Sequence, residues 1–168
     1  SDGNPLELNG RRIGAVRGDL IRFHEWYGMR RGEENVGVRM ASSRIAEGIL
    51  GRESDWNLRR HVQLGPADSS IFDGDASDPE RSPAKEFAAS GVHWLEGRKG
   101  PGSRVKKWEL LRKLLANSIP INGYRESPGF FITENCEHAL RLLPYAPTDD
   151  KNPDDINTDW EDHNVDEI

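Results

Sequence analysis

The sequence predicts an α/β fold, and three observations lead there. Short runs rich in β-branched and aromatic residues alternate with segments whose apolar positions recur every three or four residues. Glycine and proline clusters separate the two kinds of segment. The 168 residues suffice for one sizeable core and leave no room for two full ones. Strands that alternate with helices imply a largely parallel sheet beyond the first strand.

Taken in order, Asn9-Gly10 is a turn signal, and Leu20 to Tyr27 reads as a strand that Gly28 to Gly32 breaks. Ser42 or Ser43 offers an N-cap for a helix with apolar positions at Ile45, Ala46, Ile49 and Leu50, closed by Gly51. Arg60 to Leu64 reads as a short strand running into Gly65-Pro66-Ala67-Asp68, after which Ser69 to Pro79 is turn-rich. A second helix starts at Ser82-Pro83, with proline at its first position, and stops at Gly91; Val92 to Leu95 is the next strand. Ser103 caps the clearest helix, whose apolar positions Val105, Trp108, Leu111, Leu114 and Leu115 form one face while Arg104, Lys106, Lys107, Arg112 and Lys113 occupy the others. Phe130 to Thr133 is a strand, and Ala139, Leu140, Leu142 and Leu143 lie on a helix ended by Pro144.

Charge is unevenly placed. The chain carries 23 Lys and Arg against 29 Asp and Glu, a formal net charge of -6. Residues 149–168 hold nine of the acids and one base, Lys151, which leaves 20 acids against 22 bases in residues 1–148. The expected organisation is therefore a weakly basic body over 1–148 and an acidic C-terminal segment over 149–168. An acidic net charge then does not exclude a polyanionic partner. No apolar run approaches the roughly 20 residues of a helical membrane span. A lone Cys136 forms no internal disulfide and the N-terminus lacks a signal-peptide pattern, so the expected compartment is intracellular.

Candidate chemistry rests on carboxylates. Asp68 follows a short strand, where the C-terminal edge of a parallel sheet presents side chains to a crevice. The plainer alternative is a turn aspartate that caps its own backbone, and spacing alone favours it. Asp162 and Asp166 are four apart, with His163 between, so a helix there would put both carboxylates on one side; a solvated acidic face is the plainer alternative. Carboxylates gathered from separate segments suit Mg²⁺ or Mn²⁺, and phosphodiester hydrolysis uses two such ions about 3.5–4 Å apart. The cations Arg98, Lys99, Arg104, Lys106, Lys107, Arg112 and Lys113 form a candidate phosphate-contacting surface, against which stands an ordinary solvated helix face. Walker A, GxGxxG, CxxC and HExxH patterns do not occur, and Cys136, without an organising partner, reads as a buried structural thiol.

Several segments, in order, resemble the C-terminal nuclease domain of tailed-bacteriophage terminase large subunits, the DNA-packaging proteins. They are residues 18–28, 45–49, 66–72, 100–104 with Trp108, 136–144 and, most specifically, 153–166, from Pro153-Asp154-Asp155 to Asp162-His163-Asn164-Val165-Asp166. The resemblance implies an RNase H-like mixed sheet flanked by helices and a metal-dependent endonuclease that cuts concatemeric double-stranded viral DNA. By it, Asp68 matches the second metal-binding carboxylate and the run from Asp162 to Asp166 the third acidic motif, with His163 a further candidate ligand and Mg²⁺ or Mn²⁺, two ions, the cofactor. The implied partners are DNA, a terminase small subunit and the portal of a procapsid, in the cytoplasm of a bacterial host. The sequence departs from the family pattern at the start: the strand with the first catalytic aspartate has no match, and neither Asp2 nor Asp19 fits it. The expectation is thus a nuclease domain incomplete at its N-terminus. A non-catalytic DNA-binding or packaging-assembly module is the alternative from another class, and a recombinase or transposase the alternative within RNase H-like enzymes.

Overall fold

A computed structural model describes residues 6–8, 10–30, 33, 36–74, 78, 81–97, 100, 102–157 and 160. They are mixed α/β, with four α-helices and short strands that pair as three two-stranded ladders. The chain divides into two compact units, Val38–Gly100 and the combination of Ser1–Gly37 with Pro101–Ile168.

The discontinuous unit begins with an antiparallel hairpin, β1 (Leu6–Leu8) and β2 (Arg11–Ile13), with Gly10 at φ 74° ahead of β2. Strand β3 (Leu20–Arg22) then pairs in parallel with β6 (Phe130–Ile132), in the register Leu20 with Phe130 and Arg22 with Ile132. Helix α3 (Ser103–Asn117) packs against β6; its N-cap is Gly102 in the left-handed region, and Ser103, expected as the cap, is its first residue. Its three-four spacing buries Trp108 and Leu111, which form a core with Phe130, Leu142 of α4 (Glu137–Leu142) and Ile156. The expected strand over residues 20–27 ends after Arg22 because its partner turns away. Thr133 and Asn135 take over the backbone acceptors there: the Thr133 amide donates to the Arg22 carbonyl at 3.0 Å, and Asn135 Nδ2 donates to the Phe23 carbonyl at 2.7 Å. Glu25 continues the junction, its carboxylate accepting the His138 amide at 2.6 Å and the Ala139 amide at 3.2 Å in the first turn of α4. Pro144 ends α4 as expected, inside a 3-10 turn Leu143–Tyr145.

A two-stranded parallel ladder is weak alone, and β3–β6 is pinned by a buried ion pair. Asp19 accepts from both terminal nitrogens of Arg125, at 2.9 and 2.6 Å, and from the amides of Val16 at 2.7 Å and Gly129 at 2.8 Å. Both side chains are almost fully buried, 7% exposed for Asp19 and 1% for Arg125. Arg125 also donates to the Gly14 carbonyl and lies 4.7 Å from the centre of the Phe131 ring. Gly129 is where these loops meet: a Cβ there would lie 2.8 Å from Ser118 Cα. Burial alone would raise the Asp19 carboxyl, but the Arg125 hydrogen bonds and the Gly129 and Val16 amides outweigh it and hold it at about 2, below the usual 3.8.

The continuous unit is a strand–helix–strand arrangement with a preceding helix. Helix α1 (Ser42–Asp55) runs through Gly51, where closure was expected. Gly51 adopts helical dihedrals at a modest cost of about 1 kcal/mol, and what stops the helix is Asn57 in the left-handed region at φ 55°. The Asn57 amide then bonds the Ser54 carbonyl at 3.0 Å and the Leu58 amide the Glu53 carbonyl at 2.7 Å, a Schellman closure. Strand β4 (Gly65–Ala67) pairs in parallel with β5 (Trp94–Glu96). The ladder starts at Gly65, so Arg60 to Leu64, expected as strand, stays outside it. Pro66 is tolerated because Ala67, not Pro66, bonds across the ladder, accepting the Gly97 amide at 2.8 Å. Helix α2 (Pro83–Ala89) starts as expected, the Ser82 hydroxyl accepting the Lys85 amide at 3.3 Å. Ala46, Phe87 and Val92 form this unit's core, with Trp94 set edge-on to Phe87.

The depressed Asp19 pKa fixes a pH dependence. The carboxylate contributes stability above pH about 4, and that contribution, about 2 kcal/mol, is lost as pH falls through about 2. Urea unfolding between pH 2 and 5 is expected to show this loss in the native chain. Arg125→Met, which strands a buried carboxylate, is expected to cost about 3–5 kcal/mol at pH 7 in the same assay.

Candidate functional site

The candidate acid is placed by the strand that precedes it. Asp68 follows Ala67 at the C-terminal end of β4 and is the N-cap of a 3-10 turn, Ser69–Phe72. Its Oδ1 accepts the Ser70 amide at 2.8 Å, and the residue is exposed. The plainer alternative for Asp68 is thus observed, since it caps its own turn, and the residue is exposed at the C-terminal end of β4. Gly97 permits this edge, because a Cβ there would lie 2.7 Å from the Ala67 carbonyl oxygen. Asp68 suits a hard divalent cation as an anionic oxygen ligand. Among the described residues no group of three His, Cys, Asp or Glu side chains is placed to hold a metal. Asp162, His163 and Asp166 lie outside the described residues, as do Arg98 and Lys99.

Four of the five cations of α3 fall into two pairs. Lys106 and Lys113 are exposed and seven residues apart, two helical turns or about 10 Å along the same face. Arg104 and Arg112 are engaged by the acidic segment. Arg104 Nε lies 3.0 Å from Asp155 Oδ1, an ion pair whose N–H misses in-line hydrogen-bond geometry. Both terminal nitrogens of Arg112 lie 3.4 Å from the Asp154 carbonyl oxygen. Lys107 is half-buried.

What brings the acids there is apolar. The sequence presents residues 149–168 as a Pro- and Asp-rich tail, yet Ile156 is 3% exposed and belongs to the same core as Trp108 and Leu111. Thr148 and Ile156 form an antiparallel bridge, the Asn157 amide donates to the Pro147 carbonyl at 2.9 Å, and Asp149 accepts the amides of Lys151 and Asn152 at 2.8 Å each. Residues 147–157 are a closed loop laid on α3. The sequence signal for it was the single apolar residue Ile156 within an acidic, proline-containing run.

A polar cluster at the C-terminal end of β3–β6 was not foreseen. Asn135 Nδ2, which donates to the Phe23 carbonyl, also lies 2.9 Å from His24 Nδ1. Thr133 Oγ1 bridges the Arg22 and Phe23 carbonyls, and Cys136 is fully buried with its thiol toward the Arg22 carbonyl. The structural role expected of Cys136 agrees with this placement. The ring of His138 packs 4.7 Å from that of Tyr27. These groups close the end of the ladder on one another. Asp19 likewise serves the fold.

No family model, curated protein or solved structure matches the chain. Among the described residues no helix is long and apolar enough to cross a membrane.

Asp68 can be dissected by its two roles. Asp68→Ala removes the cap and is expected to cost about 1 kcal/mol in thermal or urea unfolding, whereas Asp68→Asn, an equally good cap, is expected to leave stability nearly unchanged. Gly97→Ala is expected to destabilise by about 1–3 kcal/mol through its clash with the Ala67 carbonyl.

Proposed function

We propose that the chain is a divalent-metal-dependent endodeoxyribonuclease domain of the phage DNA-packaging class, built on an RNase H-like sheet and acting on concatemeric double-stranded DNA. The ordered resemblance of its segments to terminase large subunits supports this reading. The observation that carries it is the position of Asp68, an exposed carboxylate at the end of a parallel strand, at the residue that matches the family's second metal-binding acid. By the resemblance, the ligands for Mg²⁺ or Mn²⁺ would be drawn from Asp68, Asp162, Asp166 and His163. Two such ions supply an activated water and charge compensation on the scissile phosphate. The protein's own contribution is to fix Asp68 through the Ser70 amide and to hold the DNA backbone through the exposed lysines of α3. On this reading the partners are double-stranded DNA, a small terminase subunit and a portal, in a bacterial host. A DNA-binding or packaging-assembly module without catalysis is the second reading, favoured by exposed Lys106 and Lys113 on α3.

Nicking of supercoiled plasmid by the purified chain tests the proposal. Cleavage is expected with Mn²⁺ or Mg²⁺, to stop with EDTA, and to fall at least about a hundredfold in Asp68→Asn and in the Asp162→Ala, Asp166→Ala double variant, a loss of about 3 kcal/mol of transition-state stabilisation. Nicking that survives in Asp68→Asn would overturn the assignment of this acid. DNA binding with no cleavage under any metal would leave the second reading in its place.

A further inference from the structure

The acidic loop over 149–155 sits on the helix that the proposed function assigns to DNA. It holds four aspartates and one lysine, and it meets α3 through Arg104 and Arg112, two of the five cations of that helix. Neither of these two contacts has close, in-line hydrogen-bond geometry, and Asp155 Oδ1 also accepts the Ile156 amide at 2.8 Å. The Arg104–Asp155 pair is partly exposed, at 30% and 21%, and its N–H points off its partner. The two Arg112 contacts, at 3.4 Å, are long for N–H···O bonds. A phosphate accepts a guanidinium in bidentate geometry, so duplex phosphates and the acids of the loop compete for the same kind of donor.

The rest of the loop keeps the acids in place. Ile156 is locked in the core and Thr148 bridges it, while Asp150 and Asp154 at the tip are exposed. An acid tethered in this way competes at a high effective concentration without needing a tight contact of its own. We propose that the 149–155 loop is a built-in mimic of the DNA backbone that competes with duplex phosphates for Arg104 on α3, so that the free chain binds DNA through Lys106 and Lys113 and recruits Arg104 only when the backbone displaces Asp155. This rests on the reading of α3 as a DNA surface, and its test separates the two.

The measurement is fluorescence anisotropy of a labelled duplex of random sequence, titrated at several salt concentrations in EDTA so that no cleavage intervenes. Asp155→Asn is expected to tighten binding about three- to tenfold and to steepen the dependence of log affinity on log salt by about one, the signature of one further phosphate contact. In the Asp155→Asn, Arg104→Gln double variant that gain is expected to vanish, which a merely structural role for Asp155 would not produce. The Asp150→Asn, Asp154→Asn variant changes exposed residues only, and is expected to tighten binding by a smaller factor with unchanged thermal stability, which keeps the test valid should Asp155→Asn fold poorly. Binding that Lys106→Ala, Lys113→Ala weakens but no aspartate variant strengthens would overturn the competition and leave the DNA surface standing. An absence of DNA binding, or binding indifferent to Lys106 and Lys113, would overturn both.

Discussion

The buried pair of Asp19 and Arg125 is the constraint on which the discontinuous unit depends. Strands β3 and β6 are three residues each and separated by more than a hundred positions, so their pairing has a large loop-closure cost and few ladder bonds to offset it. Asp19 precedes β3 directly, and Gly129 precedes β6 directly; one carboxylate holds both starting points and the Arg125 fork between them. Register is thereby set from the N-terminal end of the ladder. At the other end Thr133, Asn135 and Glu25 do the same work with hydrogen bonds to Arg22, Phe23 and the first turn of α4.

Helix α3 serves two demands with one periodicity. Its apolar positions place Trp108 and Leu111 in the core, while Arg104, Lys106, Lys107, Arg112 and Lys113 lie on other faces together with the acid Glu109. Because the acidic loop reaches those cations by way of Ile156, core packing and surface electrostatics are coupled: the residue that buries apolar area also fixes where four aspartates stand. The cations of α3 are therefore not equivalent. Arg104 is partnered within the chain, while Lys106 and Lys113 point outward at a spacing set by two helical turns.

Asp68 combines a local and an outward role in the same way. Its cap to Ser70 holds the carboxylate at the edge of β4, and Gly97 lets β5 end close against the same peptide. A residue fixed by its own turn in this manner has less rotamer freedom to lose on meeting a ligand.

Much of the local structure was legible in the sequence. Ser82-Pro83, the three-four spacing from Val105 to Leu115, and Phe130 to Ile132 all carry their information within a few neighbouring residues, through caps and periodicity. The same holds for the Asp68 turn, whose capping geometry needs only Ser69 and Ser70. Strand lengths, the passage of α1 through Gly51 and the placing of the 149–155 loop were not legible, because each is decided by a partner distant in sequence or by a cap outside the common pattern. The sequence by itself determined the alternation of helices and strands, the basic face of α3 and the acidity of the C-terminal segment. Only the tertiary structure decided that Asp19 is held by Arg125 and that Ile156 brings Asp155 to Arg104, since a buried charge and a lone apolar residue find their partners through packing, which local patterns do not encode.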